Sequence, residues 1–105
     1  MKLNLLVLLC ENIEASRKFY EQLGLIFVKE KHGKGVEHYS SCLESLVFEI
    51  YPLAKGESPC NSRLGFSIQS IRSLISKIDI HSQYEFNGKI NYVVVDPDGR
   101  KVEIS

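Results

Sequence analysis

Two glutamates sit in strand-like runs that isolate their carboxylates. Glu49 lies in 46-LVFEI-50 and Glu103 in 102-VEI-104, each between apolar residues. Successive side chains of a strand point to opposite faces, so each run sends its apolar neighbours one way and the acid the other. Tyr51 shares the parity of Glu49. Tyr39, Tyr51 and Tyr92 are strand aromatics that either line a binding surface or pack between strands. His38, in 36-VEHYSS-41, is either a half-exposed strand histidine or a ligand or base, while His32 and His81 read as turn and loop residues. Phe19 and Tyr20 read as contacts between helix and sheet.

The sulfur chemistry is sparse. Cys10, Cys42 and Cys60 are an odd number with no C-x-x-C pair, so neither a disulfide framework nor a zinc knuckle is indicated. Cys10 and Cys42 lie in apolar runs, where free cysteine packs as a small core residue. Cys60 lies in the polar stretch 55-KGESPCNS-62, and none of the three has the basic neighbours that make a thiolate nucleophile. Motifs of the G-x-G-x-x-G, P-loop, G-x-S-x-G and H-E-x-x-H types are absent, which removes nucleotide, hydrolase-elbow and zincin chemistries.

The 105 residues are enough for one domain, and 44% hydrophobic with 25% charged residues is an ordinary globular balance. Thirteen basic residues offset thirteen acidic ones. A neutral chain without clustered lysines has no footprint for nucleic acid or an anionic membrane. The one concentration, 29-KEKHGK-34, reads as an exposed strand end and turn. The opening MKLNLLVLLC resembles a secretory leader at first sight. Asn4 leaves only 5-LLVLL-9 uninterrupted, whereas a leader needs roughly 7–15 apolar residues and a small residue before the cleavage point. The run is expected to be the first strand, and the protein is expected in the cytoplasm.

The elements that must position these groups follow from periodicity. In 12-NIEASRKFYEQLG-24, Asn12 is a good N-cap; Ile13, Ser16, Phe19, Tyr20 and Leu23 share one helical face, Glu14 and Lys18 form an i,i+4 pair, and Gly24 suits the helix end. Strands follow at 25–31, 36–43 and 44–52, ended by Pro52. The polar stretch 53–61 is a linker. The order then repeats: strand 63–68, helix 70–78 with Ile71, Leu74, Ile75 and Ile78 in register, strand 82–86, an Asn87-Gly88 hairpin turn, strand 90–95, a 96-DPDG-99 turn of type I and strand 100–105. The expected fold is α+β, with two tandem βαβββ modules at about 1–52 and 62–105 in one domain. Helices would cover the outer face of a curved mixed sheet whose concave side forms a ligand cup.

This organisation resembles the vicinal-oxygen-chelate superfamily, the glyoxalase, bleomycin-resistance and extradiol-dioxygenase proteins. The residues that carry the resemblance are Ser16, Phe19-Tyr20 and Leu23-Gly24 in the first strand–helix unit, and 92-YVVVDPDGRKVEI-104 at the other end. In metal-using members four cup-facing side chains, often His, Glu, His and Glu, hold one divalent ion with open positions for substrate oxygens. Carried over position by position, the set here is Leu5, Glu49, Arg63 and Glu103. Leu5 has no donor atom, and the guanidinium of Arg63 stays protonated and accepts nothing. Two carboxylates alone hold transition metals weakly.

The resemblance therefore implies a cup with no metal or other cofactor; were a divalent metal present, Glu49 and Glu103 would hold it. If Glu49, Arg63 and Glu103 meet, the guanidinium stands where a metal would, either as a structural ion cluster or as a polar anchor beside a general base. The implied function is binding of a small aromatic or cationic molecule against Arg63, Tyr51, Tyr92, His38 and Leu5. Glu49 and Glu103 are the catalytic candidates should the chain be an enzyme. Two alternatives stand beside it: a metal-dependent glyoxalase-type lyase, isomerase or dioxygenase with an atypical site, and a non-catalytic assembly module. A homodimer is implied, with neither nucleic acid nor membrane as partner.

Overall fold

The opening run folds as strand β1 (Leu5–Cys10), with Leu8 and Cys10 buried and Leu5 and Val7 exposed. A computed structural model describes residues 1–105. They divide into two compact units, Met1–Cys60 and Asn61–Ser105. The first continues with α1 (Ile13–Gln22), β2 (Val28–Glu30), β3 (His38–Leu43) and β4 (Leu46–Pro52). The second holds β5 (Leu64–Phe66), α2 (Ile71–Ile75), β6 (Ser82–Phe86), β7 (Lys89–Val95) and β8 (Lys101–Ile104). The class is α+β, with two tandem βαβββ modules. Their four-stranded mixed sheets have the same topology, β1-β4-β3-β2 and β5-β8-β7-β6. The first and last strands of each module run parallel, and the remaining neighbours antiparallel.

Helix α1 starts where the sequence suggests. The Asn12 side chain accepts from the amides of Glu14 and Ala15, both at 3.1 Å, an arrangement typically contributing about 1 kcal/mol. Gly24, at φ +114°, adopts a conformation closed to other residues just past the helix end. Ser16 and Tyr20 are buried, and the Tyr20 ring packs on Phe48 of β4 with centroids 5.3 Å apart. The expected Glu14–Lys18 pair does not form. Glu14 is instead bonded by Arg17 one turn on and by the hydroxyl of Tyr39 from β3.

The second helix is shorter than its apolar periodicity suggests. Ser70 makes no side-chain cap, the Ser76 hydroxyl turns back onto the Ser73 carbonyl, and the helix stops at Ile75. Serines that bond their own backbone compete with helix propagation. The Asn87-Gly88 turn has both residues at positive φ, the type I′ geometry that suits a hairpin's twist. In the DPDG turn the Gly99 amide bonds the Asp96 carbonyl at 3.0 Å, while Arg100 is buried against the carboxylates of Asp96 and Asp98. No helix is long and apolar enough to cross a membrane.

Candidate functional site

Register decides which side chains share a face. In the first unit Ser40 pairs with Glu49, and Tyr39 with Ile50. Tyr39, Phe48 and Ile50 belong to the buried side, so His38, Ser40, Glu49 and Tyr51 lie on the other. Glu30 of β2 pairs with His38 and joins that face. On β1 the neighbour of Glu49 is Val7, while Leu5 pairs with Val47.

His38 is the hub of this group. Only 1% of it is exposed, and its Nε2 lies 3.5 Å from Glu30 Oε1 and 3.4 Å from Glu49 Oε2. The Tyr51 ring stacks on the imidazole, with centroids 4.1 Å apart and planes 8° from parallel. Burial, helped by the charges of Glu49 and Glu30, pushes the Tyr51 phenol above its usual 10. The structure thus brings together Glu49, His38 and Tyr51 from the sequence-derived set. It adds Glu30, which the sequence reading left inside an exposed strand end.

In the second unit Glu103 pairs with Gly65 on one side and Val93 on the other. Arg63 Nε donates to Glu103 Oε2 at 2.8 Å, and the Tyr84 hydroxyl donates to Oε1. Both oxygens of the acid are therefore taken. The hydrogen bond from Tyr84, joined by that from Arg63, holds the Glu103 carboxyl below its usual 4.5 against the opposing pull of partial burial. The same bond pushes the Tyr84 phenol above 10. A Cβ added at Gly65 would meet no atom within 4 Å, so the strand beside the acid presents open space.

Tyr92 requires a correction. It stands opposite Ile104, on the face away from Glu103, because β7 and β8 pair Val93 with Glu103. The aromatic that reaches the acid is Tyr84, one strand further out. Tyr84 pairs with Asn91, two residues from Val93, and so shares the Glu103 face. Spacing counted from Asn87-Gly88 and alternation along 82-SQYEF-86 were the signals able to find it. Arg63 also borders a recess of about 250 Å³ lined by Asn61, Ser62, Gly99, Arg100 and Lys101.

No protein family and no curated protein matches the sequence. Solved structures do match the fold. TnmS3, an antibiotic binding protein from a Streptomyces species, superposes at TM-score 0.77 with 12% identity, covering 100% of this chain and 94% of its own. A glyoxalase family protein from Enterococcus faecalis reaches 0.72 with 22% identity, covering 98% and 95%. The lactoylglutathione lyase of Agrobacterium tumefaciens reaches 0.70 with 14% identity, covering 98% and 91%. The chain has the glyoxalase/bleomycin-resistance fold.

The metal positions associated with that fold do not fit an ion here. Leu5 supplies no donor, nor does its neighbour Val7, which faces Glu49 in register. Arg63 is a fixed cation already bonded to Glu103. A divalent ion at Glu103 would have to displace both a guanidinium and a phenol.

Proposed function

We propose that the chain binds a small, flat organic molecule on the open strand face of its second module, with Arg63 and Glu103 as polar anchor and no metal at that glutamate. The observation that carries this reading is the occupation of both Glu103 oxygens, by Arg63 at 2.8 Å and by Tyr84. A neutralised acid beside a side-chain-free Gly65 offers hydrogen bonds and room together. The antibiotic binding neighbour supports this use of the fold. Because Arg63 already offsets Glu103, a cationic ligand loses its reason here, and a neutral or acidic aromatic fits better. Glu103 is a binding group in this reading.

The test is a thermal-shift screen of aromatic acids, aromatic cations and neutral planar compounds, followed by calorimetry on those that bind. Gly65→Leu and Arg63→Ala should each weaken the bound class by about tenfold or more, the scale of one lost anchor. The reading fails if no class binds, or if the binder ignores both substitutions. Glu103→Gln should leave any bound Ni²⁺, Zn²⁺, Mn²⁺ or Fe²⁺ unchanged. Loss of one metal equivalent in that variant would overturn the metal-free part.

Two further expectations belong to the same reading. Exposed Leu5, Val7 and Val28 on the Glu49 face support association of two copies, which sedimentation velocity would detect as a dimer. The odd number of cysteines and the lack of any C-x-x-C spacing in the sequence support a reducing compartment such as the cytoplasm.

A further inference from the structure

The first module carries a side-chain cluster that the ligand reading does not use. Glu30, His32 and His38 each present one ligand atom, and these atoms lie within 4.8 Å of one another. The Nδ1 of His38 is 3.2 Å from the Val36 carbonyl oxygen. A carbonyl only accepts, so Nδ1 carries the hydrogen and Nε2 presents its lone pair to the cluster. That lone pair faces two carboxylates, Glu30 at 3.5 Å and Glu49 at 3.4 Å. The Tyr51 ring stacks parallel to the imidazole, and its hydroxyl oxygen lies 3.3 Å from Nε2, a contact that a bound ion would replace. Three electron-rich atoms converge on a buried imidazole, an arrangement completed by a cation between them.

The two spacings at His38, 3.5 Å to Glu30 and 3.4 Å to Glu49, match a small ion, and the His32 ligand atom lies within 4.8 Å of those of Glu30 and His38. Two ligands each about 2.0–2.1 Å from a tetrahedral ion stand about 3.3–3.4 Å apart. A carbonyl bonded to the far nitrogen is the usual way a protein orients a metal-binding histidine. His32 is also placed by its backbone. The turn 32-HGKG-35 is closed by the Gly35 amide on the His32 carbonyl at 2.9 Å, and a Cβ at Gly35 would come within 2.9 Å of that same oxygen. The ring of His32 lies 5.4 Å from that of His38, centroid to centroid.

We propose that Glu30, His32 and His38 hold one divalent transition-metal ion, with zinc as the best-suited class, and that Glu49 stands beside it as a fourth donor or as a base for a bound water. Two imidazoles and a carboxylate suit zinc, and three protein ligands leave a position open. None of these residues belongs to the Arg63–Glu103–Tyr84 anchor, so this proposal and the ligand reading can fail separately.

The test titrates the chelator-treated full-length protein with ZnCl₂ by calorimetry and with CoCl₂ by visible absorption. One equivalent should bind, with a tetrahedral cobalt spectrum and a rise in melting temperature. His32→Ala, which removes an exposed side chain, and Glu30→Gln should each weaken Zn²⁺ at least tenfold, and Gly35→Ala should weaken it less. His81→Ala, Glu103→Gln and Cys42→Ser/Cys60→Ser should leave it unchanged. The proposal is overturned if no 1:1 binding occurs, if His32→Ala and Glu30→Gln bind like the wild type, or if the cysteine variant abolishes binding.

Discussion

The two modules share one strand plan and use it for opposite electrostatics. Glu49 on β4 corresponds to Glu103 on β8, Val7 to Gly65 and Ser40 to Val93 by identical pairing. The same registers set Glu30 against Tyr84, through their partners His38 and Asn91. Leu5 and Arg63 each stand two residues before the strand partner of the glutamate. In the second module the acid is answered from within the chain by a guanidinium and a phenol. In the first it faces a second acid across a buried imidazole, with an aliphatic side chain where the arginine would be. The backbone thus supplies positions, and the residue types decide whether an acid is pinned or left to recruit a cation.

The corners between the last two strands sharpen the contrast and carry the largest expected effect. β7 and β8 are joined through Arg100, buried between Asp96 and Asp98, whereas β3 and β4 meet in the short Glu44-Ser45 turn. Arg100→Met leaves two buried acids without their cation and should cost about 3–5 kcal/mol in denaturant unfolding. Acid unfolding comes next. Glu103 titrates below 4.5 when folded, so its stabilisation is complete above the unfolded value and is lost as pH falls through the lowered one. Tyr84→Phe removes the larger cause of that lowering and should move the acid limb to higher pH. In the wild type, phenolate absorbance from Tyr84 should emerge above pH 10, and Glu103→Gln should bring it back toward 10.

Smaller effects complete the series. Arg63→Ala should reduce stability by less than about 1 kcal/mol, since the side chain is half exposed and solvent screens the pair. Its larger consequence is on ligand affinity. At the first-module corner, Glu44→Gly should raise stability by up to about 1 kcal/mol, because Glu44 sits at φ +52° where a Cβ is strained. A loss at Glu44 comparable with that at Arg100 would erase the proposed difference between the corners.

Much of this is legible in the sequence. The Asn12 cap, the Asn87-Gly88 turn and the DPDG turn are local chemistry, and each forms where its residues require. Alternation places Glu49 and Glu103 opposite their apolar neighbours, and the resemblance sets Arg63 at a position that would meet Glu103, a pair the structure contains. Helix α2 is shorter than its apolar spacing suggests, because that spacing says nothing of serines that bond their own backbone. The faces of Tyr92, Tyr84 and Glu30 are not legible in the sequence, because the face of an outer strand depends on register across a hairpin. The position of His32 depends on a closed glycine turn, which the string HGKG only hints at.

The most direct test of the account is a ¹³C titration of the glutamate carboxyls, with Glu103 assigned by its loss in Glu103→Gln. The account predicts a Glu103 signal that ionises below 4.5 and is unmoved by one equivalent of Zn²⁺ or Ni²⁺, with its low value relaxed in Tyr84→Phe. A Glu103 signal that shifts or broadens with stoichiometric metal, or that ionises at the usual value in the wild type, would contradict it.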